Sequence, residues 1–486
     1  MKIEYEKQLA TCKTGIPGLV VVDLAVHGDA RGWFKENWQR EKMTALGIPD
    51  RRWVQNNISW NEKRGATRGV HAEPWDKFVS VATGSVFGAW VDLRAGSGTY
   101  GKVYTTVLDP SKAIYVPRGV GNSYQALEDG TAYCYLVDAH WSAELKKTYT
   151  FVNLADPDLA IPWPIPLDEC EISEADRNHP LLKDVAPMRP KRALVTGCNG
   201  QLGRAVRELA EERGIAQDFD FCDIDTFDMS DPEQYSKFDW SLYGTVINCG
   251  AYTAVDKAET PKGRVAAWKA NAAGPALLSR VCAEHGITLV HVSSDYVFDG
   301  TREIHDEDEP FSPINVYGQT KAAGDLAVST CPQHYILRSS WVIGDGNNFV
   351  RTMVKLSDRV SDPEDPLDHV DVVDDQVGRL TFTDDMAEAI FHLLESHAPY
   401  GTYNCTCSGE PASWADIARE VFGLKNGNSA RISAVSTEDY NMDSSILIAP
   451  RPEYSSLDLK KLDATGFGNA DWKDCLSLHL VGQFAR

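Results

Sequence analysis

Ser294, Tyr317 and Lys321 are the residues whose types and spacing best fit one defined chemistry. In Tyr317-Gly318-Gln319-Thr320-Lys321 the tyrosine and lysine are four apart, so a helix puts them on one face, where an ammonium can lower the phenol pKa. Such a tyrosine can donate a proton to a carbonyl. Ser294 ends the run Val290-His291-Val292-Ser293-Ser294 and offers a hydroxyl to the same oxygen, which completes a constellation for ketone reduction. Upstream, Ala193-Leu194-Val195 leads into Thr196-Gly197-Cys198-Asn199-Gly200-Gln201-Leu202-Gly203 and then a helical stretch. Glycines there permit a tight turn, close approach of the backbone to a pyrophosphate, and tight packing of helix on strand. Asp223 and Asp225, just past the next apolar run, are placed to accept from an adenosine ribose, although turn acids that merely solubilise would look the same. The cofactor expected is NADPH or NADH, with the two acids leaning toward NADH.

The first half carries different chemistry. Its motifs are Gly28-Asp29-Ala30-Arg31-Gly32-Trp33-Phe34-Lys35-Glu36, Gln55-Asn56-Asn57, Arg68-Gly69-Val70-His71, Lys77-Phe78-Val79, and Val116-Pro117-Arg118-Gly119-Val120-Gly121-Asn122. His71 stands without a second clustered histidine, so a metal-binding jelly roll is not expected and no metal ligands are assigned. Spacing alone leaves it open whether His71 is structural or catalytic.

Short apolar runs position these residues in the first half, at Gly18 to Val22, Val79 to Val81, Val86 to Leu93 and Val103 to Leu108, divided by Gly, Asp and Pro turns. That pattern predicts an all-β barrel or double-sheet jelly roll. Three prolines between Pro180 and Pro190 mark a connector, and the domains are set at 1–188 and 189–486. Beyond it, strands at 192–196, 219–222, 245–249 and 288–293 alternate with helical stretches such as 201–213, the sign of a doubly wound parallel sheet of the Rossmann type. The carboxylate-rich run Asp358 to Asp375, broken by two prolines, is expected to be a solvated loop.

Composition narrows the classes. The net charge of -22 argues against nucleic acid as a partner; residues 1–190 contribute only -2 of it and the remainder -20, so the halves differ in kind. The apolar stretch Leu19 to Val22 is cut by Asp23, and neither a membrane span nor a signal peptide is expected. Eleven cysteines, scattered and odd in number, with only Cys405 and Cys407 close together, suggest neither a disulfide framework nor a zinc knuckle, and a reducing cytoplasm is the expected location.

The segments TGCNGQLG, NCGAYTAVDKAE, VSSDYVFDG, YGQTK, LRSSWVIGDGNNF and RPEYSSLDLKKL resemble the dTDP-4-dehydrorhamnose reductases, extended short-chain dehydrogenases, over nearly all of residues 192–475. The resemblance implies Ser294, Tyr317 and Lys321 as catalytic triad. It implies cofactor contacts at Gly197, Gly200, Gln201, Leu202, Gly203, Gly250 and Ala251. Asp295, Tyr296 and Trp341 would lie beside the sugar nucleotide, in a smaller C-terminal substrate-binding region. Without the resemblance, Trp341 reads equally well as a core aromatic.

The first-half motifs, with Asp156-Pro157-Asp158-Leu159-Ala160-Ile161-Pro162-Trp163-Pro164, resemble dTDP-4-dehydrorhamnose 3,5-epimerase over residues 14–183, a cupin-like jelly roll. This implies His71 as base, Asp176 as its orienting carboxylate, Lys77 steadying the enolate oxygen, and Tyr135 as acid. Arg31 and Arg68 would hold a diphosphate, and Glu36, Gln55, Asn57 and Asn122 would line the pocket. The sequence departs from the family pattern at Asn122 (usually His), Ala175 (usually Lys) and Asn56 (usually Asp), and the segment from His71 to Lys77 is short. The combined expectation is a bifunctional enzyme of dTDP-L-rhamnose formation. It would take a dTDP-linked 4-keto-6-deoxyhexose and pair as a homodimer through the epimerase domain. A 5-epimerase joined to a 4-reductase, and a non-catalytic nucleotide-binding protein, stand as alternatives.

Overall fold

Alternation of inward and outward side chains makes the first 190 residues a set of antiparallel strands. In the computed structural model, which describes residues 3–143, 145–365, 367–442 and 447–484, they form two sheets. One runs in the order Ala10–Lys13, Val20–Asp23, Lys112–Val116, Lys77–Thr83, Thr131–Val137, Gln55–Asn61. The other runs Thr150–Phe151, Thr67–Ala72, Val120–Ala126, Val86–Asp92, Val103–Leu108. Val79, Val81 and Ile114 from the first sheet share a core with Val86, Trp90, Leu108 and Val120 from the second. Strand Val86–Asp92 is buried at every position, because Val152, Leu154 and Leu159 pack with its Val91 in a second cluster.

The strands expected around 79–81, 86–93 and 103–108 are present at Lys77–Thr83, Val86–Asp92 and Val103–Leu108. This unit spans Met1–Pro190 and a second spans Lys191–Arg486, so the division falls two residues beyond the expected one.

In the second unit six parallel strands lie in the order Phe219–Phe221, Arg192–Thr196, Tyr243–Asn248, Thr288–Ser294, His334–Ser339, Gly401–Asn404. The strand order turns back on itself between Arg192–Thr196 and Tyr243–Asn248, which opens a crevice at the strands' carboxyl ends. Helix Gln201–Glu212 buries Leu202, Val206 and Leu209 with Val195 and Ile247, while Leu278 and Cys282 of helix Gly274–His285 pack with Leu194 and Val246 in a separate cluster. Helices therefore cover both faces. A separate apolar cluster joins helices Phe349–Ser361, Trp414–Asn426 and Trp472–Phe484 through Val350, Ala418, Val421 and Leu476.

The run from Asp358 to Asp375 departs from the loop expected. Its start completes helix Phe349–Ser361, and Val370–Val373 pairs in parallel with Ile432–Val435, because Val372 inserts into the apolar cluster. Carboxylate density masked an apolar residue that anchors a strand.

Candidate active sites

In the first unit, Arg68 and His71 are three residues apart, a spacing that sends side chains to opposite faces of a regular strand. The register corrects this. His71 pairs with Asn122 and Arg68 with Tyr124, so a bulge absorbs one residue of Thr67–Ala72, and both side chains share the face carrying Asn122 and Tyr124. The facing sheet contributes Tyr133 and Tyr135, whose strand partners are Val81 and Val79, and Lys77, opposite Val137.

Asp176 is brought to His71 by the short helix Glu174–Arg177, whose Ser173 hydroxyl accepts from the Asp176 backbone N–H. His71 Nε2 donates to Asp176 Oδ1 at 2.7 Å, and His179 Nε2 donates to the same oxygen at 3.2 Å. Burial would raise Asp176, but the His71 hydrogen bond and charge outweigh it and hold the carboxyl below its ordinary value. With Nε2 committed, Nδ1 is the His71 nitrogen left to take a proton. The ring packs edge-on against Phe151, and its side chain is 30% exposed, open to a ligand.

Lys77 is almost fully buried and pairs with Glu73, and its Nζ stands 5.5 Å from the centre of the Tyr135 ring. Tyr135 is pushed up to about 12, first by burial and then by the Glu73 charge, so its phenol keeps its proton. Arg68 Nε reaches Asn61 Oδ1 at 3.5 Å, and Gln55 Nε2 donates to Asn57 Oδ1 at 2.7 Å. Arg31 and Glu36 belong to neither group. Arg31 sits at the exposed turn between Val26–Asp29 and Gly32–Lys35, bound to Asp29 at 2.6 Å, and Glu36 pairs with Lys42.

Sequence reasoning missed Glu73, His179, Tyr124 and Tyr133. Glu73 had a signal in its position, four before Lys77, and His179 in its own, three after Asp176; Tyr124 and Tyr133 become visible only when strands are paired.

Asn122 has a more structural setting than expected. Its Oδ1 accepts from Trp90 Nε1 at 2.9 Å and from the Tyr133 hydroxyl at 2.7 Å. Asn122→Ala is expected to leave both donors buried without an acceptor and to cost about 1–3 kcal/mol for each. A lowered urea midpoint for the first unit checks this.

In the second unit the glycine turn follows strand Arg192–Thr196 at the crevice. Gly197 has φ +64, and a Cβ there would lie 2.6 Å from Gly250 Cα; at Gly203 it would lie 2.3 Å from the Gly197 carbonyl oxygen. Backbone therefore approaches backbone as only glycine allows. Beyond the turn lies a cavity of about 900 Å³. Gly197, Gly200, Gln201, Leu202, Asp223, Gly250 and Ala251 line it, as do Ser294, Asp295, Tyr296, Tyr317, Lys321 and Trp341. Gly203 serves the packing beneath it, and Asp225 lies outside the lining. Asp223 already accepts from the backbone N–H of Asn199 at 2.9 Å and of Ile224 at 2.7 Å.

Helix Val316–Val328 carries Tyr317 and Lys321, and Asn315 caps it by accepting from the Gly318 N–H. Lys321 is buried, and its Nζ donates to the Val292 carbonyl at 2.6 Å. Burial lowers Lys321 to about 8, with Asp325 opposing. The expected lowering of the phenol does not occur. Burial, seconded by Asp295, raises Tyr317 above its ordinary value, and the Ser294 hydrogen bond offsets only part of this. Asp295 is itself raised to about 6 by burial, against hydrogen bonds from Ser455 and Ser294. The Tyr296 ring stands edge-on to Tyr317 at 5.6 Å. Trp341, at φ +48, stacks on Trp414 at 3.8 Å while also lining the cavity, so both readings of it hold in part.

A buried network that the sequence did not announce lies beneath this site. Thr196 donates to Asn248 at 2.8 Å, Asn248 bonds His291 at 2.9 Å, and His291 stands 4.0 Å from Asp325, which holds Arg338 at 3.0 Å.

Residues 191–482 match the family model described as RmlD substrate binding domain, and residues 13–184 match that of dTDP-4-dehydrorhamnose 3,5-epimerase. The first part is 54% identical over 194 residues to a protein named RmlC homolog from Streptococcus pyogenes, covering 38% of this chain and 96% of that one. The second is 35% identical over 304 residues to a dTDP-4-dehydrorhamnose reductase of Aggregatibacter actinomycetemcomitans, covering 59% of this chain and 97% of that one. Among solved structures, a dTDP-4-dehydrorhamnose reductase of Bacillus anthracis in complex with NADP is 32% identical with a TM-score of 0.54, covering 60% of this chain and 99% of that one.

Proposed function

The chain belongs to the dTDP-4-dehydrorhamnose 3,5-epimerases over residues 13–184 and to the RmlD family over residues 191–482, and on that footing we propose that it is a bifunctional enzyme of dTDP-L-rhamnose formation. It epimerises dTDP-4-dehydro-6-deoxy-D-glucose at C3 and C5 and then reduces the C4 ketone with NADPH. The observation that carries this reading is the pairing, on one chain, of the His71–Asp176 dyad with a cavity lined at once by a glycine turn and by Ser294, Tyr317 and Lys321. We read the first unit as a cupin-like jelly roll. The second we read as a Rossmann-type sheet, with the helical cluster around Val421 as its smaller substrate-binding part.

Epimerisation removes a proton from a carbon beside the ketone and returns one to the opposite face. His71 Nδ1 takes the proton, and the Asp176 carboxylate orients the ring and stabilises its cation. Lys77, on the facing sheet, steadies the enolate oxygen, and the protonated Tyr135 beside it is the donor across the sugar. Arg68 and the Gln55–Asn57 segment hold the nucleotide side.

The Gly197 turn, packed on the Gly250 backbone as only glycine allows, and the N-terminus of helix Gln201–Glu212, both lining the cavity, fit a dinucleotide diphosphate. NADPH, when bound there, supplies the hydride for C4. Tyr317 then donates its proton to the C4 oxygen, Ser294 holds that oxygen, and Lys321 contributes positive charge and binds the ribose. Asp295 accepts from a sugar hydroxyl.

Two ionisations should bound the reductase. Below pH about 6 Asp295 gains a proton and loses its charge, and above pH about 8 Lys321 loses its own. The rate of NADPH oxidation should therefore fall on both sides of that window, and Asp295→Asn should remove the acid limb only.

We assign the homodimer contact to the first unit. Ile58 and Trp60 point outward, 67% and 59% exposed, from its edge strand Gln55–Asn61. All eleven cysteines are free, in keeping with the reducing cytoplasm we propose as its location. Among the described residues no helix is long and apolar enough to cross a membrane.

Incubating the chain with the 4-keto sugar nucleotide and NADPH in deuterated water tests the whole reading. Deuterium at both C3 and C5 of a dTDP-L-rhamnose product supports it, while label at C5 alone refutes the 3,5-epimerase assignment.

A further inference from the structure

Outside both sites, three elements of the second unit converge on a cluster to which the reaction assigns no task. Asp385 comes from helix Thr383–Glu395, Cys407 from the segment after strand Gly401–Asn404, and Cys475 from helix Trp472–Phe484. One ligand atom from each lies within 4.8 Å of the other two. Asp385 Oδ2 accepts from the Cys475 thiol at 3.3 Å and from the Cys407 thiol at 3.7 Å. Cys407 is 2% exposed, and Asp385 and Cys475 are half-buried.

Thiols are weak donors, so two of them compensate a half-buried carboxylate poorly. A cation would do so far better. The separations also suit one: around a tetrahedral ion with metal–sulfur bonds of about 2.3 Å and metal–oxygen bonds of about 2.0–2.2 Å, sulfur and oxygen ligands lie roughly 3.5–3.7 Å apart. The observed 3.3 and 3.7 Å bracket that edge. Two sulfurs and one carboxylate oxygen form a donor set for a borderline-soft divalent ion rather than for magnesium or calcium.

We propose that Asp385, Cys407 and Cys475 form a binding site for a divalent cation of the zinc class. The cation replaces the two thiol protons, which leave to solvent, and water completes the coordination. Such an ion ties the C-terminal helix Trp472–Phe484 to helix Thr383–Glu395 and takes only Cys407 of the closely spaced pair Cys405 and Cys407.

The test uses the full chain, reduced and stripped of metal by chelation, titrated with cobalt(II) alone. The expected result is one cobalt per chain, with thiolate-to-cobalt charge-transfer absorption and the visible bands of a tetrahedral site, displaced by zinc(II). Cys407→Ser and Cys475→Ser should each weaken cobalt binding at least tenfold. Should either variant fold poorly, alkylation of the wild-type chain decides instead: relative to the metal-free chain, zinc(II) should protect half-buried Cys475 from iodoacetamide and leave exposed Cys12 reactive. No charge-transfer band, a band that survives Cys475→Ser, or no zinc-dependent protection of Cys475 would each overturn the proposal. So would a Cys407–Cys475 disulfide forming on oxidation of a chain that takes up no cobalt when reduced.

Discussion

Tyr317→Phe is expected to reduce NADPH oxidation with the ketosugar by about 10²- to 10⁴-fold, the usual contribution of a positioned general acid, while proton exchange in the first unit proceeds at its normal rate. The phenol is held protonated by burial and by the Asp295 charge, within hydrogen-bonding reach of Ser294. Phenylalanine fills the same space and removes only the proton and that hydrogen bond, a stability loss of about 1 kcal/mol. Stopped-flow absorbance at the nicotinamide band, with deuterium exchange followed in parallel, separates the two activities. Unchanged NADPH oxidation would remove Tyr317 from the mechanism.

His71→Ala should do the converse. Exchange of substrate protons should fall by a similar factor of about 10²–10⁴, and reduction of substrate epimerised beforehand should be spared. Asp176→Asn provides the finer check. The amide can still meet the ring, but it cannot stabilise the imidazolium, so exchange should drop with the tertiary structure intact. His179 shares the same carboxylate oxygen and has its own pKa lowered by burial and by His71. If exchange persisted in His71→Ala at the wild-type rate, another base would have to be sought.

Much of the reductase centre was legible because helical and strand periodicities are local. Tyr317 and Lys321 had to share a helix face, and the glycine run had to form a turn between strand and helix, whatever surrounded them. Gly197, Gly200, Ser294, Tyr317 and Lys321 accordingly line one cavity. The direction of the Tyr317 shift was not legible, since it depends on how much water the fold excludes. Spacing showed only that the Lys321 ammonium can lower the phenol; that ammonium is turned to the Val292 carbonyl, and burial is the largest influence on both groups.

In the first unit motif resemblance pointed to His71, Lys77, Tyr135 and Asp176; the short helix Glu174–Arg177 brings Asp176 to His71, and strand pairing sets Lys77 beside Tyr135. The bulge that sets Arg68 and His71 on one face depends on which residues of Val120–Ala126 lie opposite. The saturation of the Asn122 carbonyl depends on Trp90 and Tyr133 in two other strands. Cys407 and Cys475, 68 residues apart, meet only because two helices and a strand end pack together.

The sequence alone therefore determined the glycine turn and the shared helix face of Tyr317 and Lys321, because each follows from residue types placed within one or two turns of chain. The tertiary structure decided the rest: the face that carries His71, the meeting of Ser294 with Tyr317, the direction in which burial shifts Tyr317 and Lys321, and the cysteines that are neighbours. These depend on strand register, on exclusion of water and on contacts between distant segments, and short-range spacing carries no record of them.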